Sequence, residues 1–398
     1  MFKRYTAIIL LAAMLALLAA CGEKRGKPNG DYGEVSFSGS AHEVSVLFVN
    51  VGKADAAIVN VDGHYWLIDT GTEESVPNLC AALSYMGAGS IDGVILTHGH
   101  ADHIGGLYNV SRSRTVKTVL VPSLLTERSA IEDEMISSGL TGSAVSAGNI
   151  IPITDGVCFE VLAPTSQDKK NENDNSLVVM LRVNGRSFLF TGDMQMAEDG
   201  RLVQSGSDIK CDVLKVPNHG NPDAVSSAFA EAAAPLVAVI STSTAVDPDS
   251  ANQAVLDKLT GADVFLTQDH ELGVLVTVSK RGALSVSFPE RPASTISGLA
   301  FSSVSKADQC FTIVNNGSEQ IDLTGCFVYS TKGSEVYFFP TGTVMPAGME
   351  MLIACRKSRL ADSAQFVWSE KKAWAETKED WAVLYDRYGN ELMRMKSE

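Results

Sequence analysis

The chain has 398 residues, with 32 Lys and Arg against 47 Asp and Glu, a net charge of −15, and 45% hydrophobic residues. That length predicts two domains of ~100–200 residues each. The acidic balance excludes broad, non-specific adhesion to nucleic acid, which depends on neutralising phosphates with basic side chains.

At the start, Lys3 and Arg4 precede an apolar run, Ala7 to Ala20, that meets Cys21. Basic residues, an apolar stretch and small residues before a cut form an export signal over residues 1–20. Its loss would take the net charge to −17, because Lys3 and Arg4 leave with it. Leu18-Ala19-Ala20-Cys21 resembles the bacterial lipobox, which implies that Cys21 is lipidated and anchors the protein to the outer face of the cell membrane. The alternative is a single membrane anchor with Cys21 unmodified, but the run is shorter than the ~20 apolar residues a spanning helix needs. Residues 21–42, rich in Gly, Lys, Ser and Asn, read as a tether.

From 43 to about 290 strands and helices alternate. Val44–Val51, Ala56–Val61 and His64–Ile68 read as strands, with Asp62-Gly63 as a hairpin turn. Val76–Met86 reads as a helix stopped by Gly87. Further strands are expected at 116–121, 157–162, 177–183, 186–190, 213–216, 236–240 and 273–278, with helices near 127–138, 223–233 and 250–259.

Between them, the apolar run Gly93–Leu96 ends in Thr97-His98-Gly99-His100-Ala101-Asp102-His103, followed by Ile104-Gly105-Gly106. Three of the chain's seven histidines and a carboxylate thus fall within six residues. Neutral imidazoles and a carboxylate suit zinc, iron or manganese, and a strand delivering them into a tight turn is a metal-ligand loop.

This stretch resembles the signature of the metallo-β-lactamase superfamily, and the resemblance continues through Val44–Val51 with Gly52-Lys53-Ala54-Asp55-Ala56, Trp66-Leu67-Ile68-Asp69-Thr70-Gly71, Phe188-Leu189-Phe190-Thr191-Gly192-Asp193, and Asp212-Val213-Leu214-Lys215-Val216-Pro217-Asn218-His219-Gly220. The last is similar to the late-histidine motif of the branch containing the hydrolase domains of competence-type DNA-uptake proteins and a phosphorylcholine esterase. The resemblance implies an αββα sandwich holding two divalent ions, zinc first and manganese or iron as alternatives. It implies that His98, His100 and His219 hold one ion and Asp102 and His103 the other, with Asp193 bridging them. A bridging hydroxide would then cleave the substrate, with Asp102 and Asp193 in the catalytic machinery.

Other residues have open assignments. Asp69 is expected to orient a ligand histidine through its second ring nitrogen; Asp55 does likewise or caps a turn. No histidine occurs from Ile104 to Asn218, where many members of the superfamily have one; Asn173, Asn175 and Ser176 match a polar segment of the branch, and Asn175 contacts the site or caps its loop. Asn218 stands where the branch usually has histidine, and touches substrate or weakens a metal. Lys215 meets a substrate phosphate or snorkels to solvent. His270 is a candidate general acid or an exposed loop histidine. Arg112, Arg114, Lys117, Lys169 and Lys170 form a local basic groove or are ordinary solvated charges.

After a linker at 291–298, residues 299–398 change texture. Strands at 300–305, 309–315, 325–330, 336–339 and 382–386 separated by polar turns predict a small immunoglobulin-like β-sandwich. Asn315-Asn316-Gly317-Ser318, Ile321–Cys326, Phe339–Thr343 with Met345–Gly348, and Leu384–Gly389 resemble a lamin tail domain, with Cys326 where that family usually has tryptophan. No catalytic cluster is visible in it, so it reads as a binding or spacing module. Setting Cys21 aside leaves three cysteines per domain, which cannot all pair internally and read as small core residues.

The sequence therefore predicts an exported, lipid-anchored binuclear hydrolase acting on a phosphodiester, either DNA or an envelope polymer. The alternatives are another ester, thioester or lactam hydrolase on the same metals, and a non-catalytic envelope-binding lipoprotein.

Overall fold

The structure is a computed structural model and describes residues 30–126, 128–333, 335–368, 370 and 372–398. The export signal at 1–20, Cys21 and the first part of the tether lie outside the described residues. Among the described residues no helix is long and apolar enough to cross a membrane.

Two sheets make the first domain. One runs in the order Leu284–Ser287, Gly273–Val278, Val44–Val49, Ala57–Val61, His64–Ile68, Gly93–Ile95, Val119–Pro122 and Gly142–Val145. The other runs Asp263–Leu266, Val237–Ile240, Val213–Lys215, Arg186–Phe190, Val178–Val183, Val157–Ala163 and Ile150–Thr154. Strand alternation explains the layering, because successive side chains point to opposite faces. Val46 and Phe48 face inward, where they join Trp66, Phe159, Phe188 and Phe190 between the sheets. Leu47 and Val49 face outward onto Leu79, Leu83, Leu107 and Val110 of the helices Val76–Tyr85 and Leu107–Ser113. On the far face, Leu214 packs with Leu202 and Phe229 of the helices Met196–Gln204 and Ser227–Ala233. The result is the expected αββα order.

Both sheets carry the metal-type residues at one edge because their parallel strands all end there. His64–Ile68, Gly93–Ile95 and Val119–Pro122 run parallel in one sheet, and Arg186–Phe190, Val213–Lys215 and Val237–Ile240 in the other. Asp69, the histidine-rich loop, Asp193, His219 and Ser241 therefore all follow strand C-termini on the same side.

Part of the tether expectation is corrected. Tyr32 N donates to Leu284 O, Val286 N to Gly30 O, and the buried Arg186 guanidinium to Tyr32 O and Gly33 O at 2.8 Å. The chain from residue 30 onward is thus held against the sandwich edge by backbone bonds that composition does not reveal.

The C-terminal domain is all-β, with the sheets Leu299–Ser305, Cys310–Asn315, Glu350–Cys355, Phe366–Trp368 and Val336–Phe338, Phe327–Ser330, Trp381–Tyr385, Glu391–Lys396. Phe311, Trp368 and Trp374 fill its core, and Cys326 is completely buried among them. The six described cysteines are all free. This domain touches the first through Phe327, Tyr329 and Val336, which bury Val76 and Cys80 of the helix Val76–Tyr85.

Candidate metal centre

The strand Gly93–Ile95 ends and the chain turns at Thr97, so that Asp102 and His103 sit on a one-turn helix, Ala101–Ile104. Close packing holds this turn: a Cβ at Gly106 would fall 2.2 Å from Thr70 O, and one at Gly105 would fall 2.6 Å from Ala101 O. Across the sandwich Gly192, at φ +52°, brings Asp193 inward; a Cβ there would lie 2.8 Å from Thr97 Cβ. His219 follows Asn218 in a left-handed turn, with φ 53° and 42° respectively.

These turns bring four side chains together. His103 Nε2 and His219 Nε2 lie 3.2 and 3.3 Å from Asp193 Oδ2, and His219 Nε2 lies 3.4 Å from Asp102 Oδ2. One ligand atom from each of Asp102, His103, Asp193 and His219 can lie within 4.8 Å of all the others. His98 Nε2 and His100 Nδ1 form an adjacent pair 3.0 Å apart, and the His98 and His103 ring centres are 4.1 Å apart. His219 thus stands with Asp102 and His103, where the sequence reading grouped it with His98 and His100. The left-handed turn aims its ring across the gap toward the short helix.

The other ring nitrogens are fixed. His103 Nδ1 donates to Asp69 Oδ2 at 2.8 Å, and His219 Nδ1 donates to Ser241 O at 2.9 Å. Asp69 in turn accepts from Thr97 N and Thr97 Oγ1, both at 2.7 Å. With its hydrogen given to Asp69, the Thr97 hydroxyl oxygen is left to accept from His98 Nδ1 at 3.2 Å. Each Nε2 is therefore the nitrogen presented to the centre.

Donor chemistry and burial test whether metal fits. His103 Nε2, His219 Nε2 and Asp193 Oδ1 are buried without a hydrogen bond, although buried polar atoms are rarely left so. Imidazole nitrogens and carboxylate oxygens converging in this way suit a divalent transition ion. The residues fit.

Charge follows the same geometry. Burial alone would lower His219, but Asp193 and Asp102 outweigh it and raise its pKa to about 9. Burial likewise opposes, and Asp193 and Asp69 overcome it, in holding His103 well above its ordinary value. Burial works against ionisation of Asp193 too, yet His219 and His103 hold it well below the usual carboxylate range. His98, buried and beside His103, is pushed well down. Metal-free protein therefore keeps imidazolium–carboxylate pairs where ions would sit, and metal must displace protons. For His219 the folded pKa exceeds the ordinary 6.5, so its stabilisation is complete below that value and is lost as pH rises through about 9. Chelator-treated protein is expected to show a falling melting temperature from pH 6.5 to 9 that metal-loaded protein does not share. Calorimetric metal titration at pH 7.5 in two buffers of different ionisation enthalpy should register proton release.

The remaining assignments divide. Asp69 occupies the orienting position just described. Asp55 is buried, pairs with Lys215, and lies 3.7 Å from His219 Nδ1. Lys215 is corrected in one respect: it does not reach solvent, because its ammonium is buried, paired with Asp55 and bonded to Gly192 O at 3.1 Å. Asn175 caps its own loop, with Oδ1 accepting from Asp168 N at 2.7 Å and Nδ2 donating to Asp168 O at 2.9 Å. Asn218 donates to Asp223 Oδ1 at 3.1 Å, bracing the turn beside His219. His270 is outside the cluster: its ring lies flat on Phe288, 3.6 Å between centres. Arg114 is committed to Ala88 O and Ser84 Oγ, and Lys117 to Asp92.

Three contributing residues carried no assigned role in the sequence reading. Ser176 Oγ accepts from Asp193 N at 3.1 Å and lies 3.3 Å from His98 Nδ1. Its place in the Asn-Ser segment was the available signal. Thr97 could have been flagged by its position before the first histidine, whereas Ser241 acts through its carbonyl, for which residue type gives no signal.

Residues 49–244 match the model of the metallo-beta-lactamase superfamily, and residues 292–397 match that of the lamin tail domain. The chain is 28% identical over 222 residues to ComE operon protein 3 of Bacillus subtilis (strain 168), covering 50% of this chain and 28% of that protein. It is 26% identical over 252 residues to competence protein ComA of Neisseria gonorrhoeae, covering 61% and 33%. The chain thus spans about a third or less of the length of either relative. A solved metallo-beta-lactamase fold protein, YhfI of Bacillus subtilis, superposes with a TM-score of 0.42 at 12% identity, covering 59% of this chain and 99% of that one.

Proposed function

Because residues 49–244 belong to the metallo-β-lactamase superfamily and residues 292–397 to the lamin tail domains, we propose that the chain is a binuclear metal-dependent phosphodiesterase working at the outer face of a bacterial membrane. Superfamily membership supports a metal-dependent hydrolase in general terms. The observation that carries the reading is the convergence of Asp102, His103, Asp193 and His219 beside the His98–His100 pair.

Asp102, His103 and His219 would hold one ion, His98 and His100 the other, and Asp193 would serve both. When bound, the metals supply Lewis acidity, activate water and stabilise the attacking and leaving oxygens of an in-line displacement. The protein's part is positional. Asp69 and Ser241 fix the two histidine rings, Ser176 holds the Asp193 backbone, and the buried surroundings strengthen every charge interaction at the centre. The choice of a phosphodiester over another ester rests on the resemblance of residues 212–220 to the late-histidine motif of the branch of competence-type DNA-uptake proteins. The net charge of −15 favours small or envelope-linked phosphodiesters over long nucleic acid. Surface anchoring rests on Cys21 and the apolar run before it, with the lamin tail domain as the module facing an envelope partner.

The test couples metal analysis to hydrolysis of bis-(p-nitrophenyl) phosphate with and without chelator. Two ions per chain with chelator-sensitive turnover are expected. Metal-dependent turnover of thioesters or lactams alone would move the reading to those substrates, and a protein without metal or turnover would be a binding lipoprotein.

A further inference from the structure

An anionic substrate needs a cation at the mouth of a centre crowded with carboxylates, and the lysine nearest the ligands, Lys215, is buried and paired with Asp55. We propose that Lys53 is the substrate-phosphate contact of this site and that Asp247 holds it in position until substrate takes its place. The proposal rests on the phosphodiesterase reading and deepens it.

Placement carries the argument. Lys53 lies in the turn between the strands Val44–Val49 and Ala57–Val61, and that turn is bonded to the metal-ligand loop by Asp55 N donating to Asp102 O at 3.1 Å. Asp247 lies in the loop after Val237–Ile240, which is bonded to the other ligand turn through Ala251 N to His219 O at 3.2 Å and His219 Nδ1 to Ser241 O. Asp102 and His219 face each other at 3.4 Å, and the Lys53–Asp247 ion pair, 3.0 Å long, joins the two loops bonded to the backbones of those ligands.

The pair is also built to exchange. Lys53 and Asp247 side chains are 27% and 22% exposed, so solvent and ligand reach them, while Lys215 is at 5%. Asp247 keeps other partners when the lysine leaves: it accepts from Asp249 N at 3.2 Å and bonds the Asn221 side chain. Partly exposed ion pairs are weakly held. A lysine is a compact charge on a flexible stem, suited to following a phosphate oxygen over a short distance. The exchange makes and breaks no covalent bond.

Kinetics on the metal-loaded full chain decide the matter, with bis-(p-nitrophenyl) phosphate as substrate and inorganic phosphate as competitive probe. Loss of one charge-assisted contact is expected to raise KM and the phosphate inhibition constant together, about tenfold in Lys53→Ala, with kcat within about twofold. Lys53→Arg should restore most of the loss. Asp247→Asn should lower both constants about threefold, and should do nothing when Lys53 is already alanine. Unchanged constants in Lys53→Ala with full metal content overturn the proposal, as does a fall in kcat at constant KM, or an Asp247→Asn effect that persists without Lys53. If Lys53→Ala loses metal or folds poorly, Lys53→Gln carries the same comparison. Absence of phosphodiester turnover in the unmutated protein removes the underlying reading, and that outcome is visible before any variant is made.

Discussion

Asp193→Asn is expected to strip metal from the protein and to lower the proposed phosphodiester turnover by roughly 10³-fold, the largest functional loss foreseen for a single substitution. The change keeps the shape of the side chain, so the buried site at the end of Arg186–Phe190 stays filled. What disappears is a carboxylate charge that lies within 3.3 Å of both His103 and His219. With it goes much of the attraction that holds those two histidines above their ordinary pKa. The two halves of the centre would then have no shared carboxylate. Metal content by elemental analysis, turnover, and circular dichroism to confirm the fold check the prediction together. Retention of both ions and of activity would show that Asp193 is not a ligand.

The sequence made the ligand loop legible because all its chemistry is local. His98, His100, Asp102 and His103 lie in one short window after an apolar strand, and Asp69 and Asp193 each directly follow or closely follow another such strand. What spacing could not decide was the pairing of distant groups. His219 joins Asp102 and His103 because two consecutive residues adopt left-handed backbone, a conformation Asn and His tolerate better than most residues but whose direction across the gap spacing does not reveal. Lys215 ends a strand, where a lysine normally reaches water; its burial depends on Asp55, contributed by the opposite sheet. Elements were missed for related reasons. Met196–Gln204 carries Gly200 in its middle, which weakens a helix reading, and Ala101–Ile104 with Leu107–Ser113 is broken by two glycines that serve close packing. Glu350–Cys355 alternates poorly because its last three residues are all buried.

Replacing Lys215 with methionine is expected to destabilise the fold by about 3–5 kcal/mol, the largest stability loss foreseen, because it leaves the Asp55 carboxylate charged and buried without its partner. The aliphatic stem is nearly conserved, so lost packing is a minor part. Asp55→Asn should also be costly, because it removes the nearest carboxylate and leaves the ammonium with Gly192 O at 3.1 Å and Asp193 Oδ1 at 3.8 Å. Combining Asp55→Asn with Lys215→Met should recover much of the loss, since a buried pair replaced as a unit removes both desolvated charges. Denaturant unfolding of the four proteins measures that coupling; strict additivity would show that the two groups do not act as a pair. The pair also bears on the centre. Lys215 holds the carbonyl of Gly192, the residue that turns Asp193 inward, and its Nζ lies 3.8 Å from Asp193 Oδ1. The double variant should therefore fold yet bind metal more weakly than the unmutated protein, separating the role of this ion pair in stability from its role in aiming Asp193.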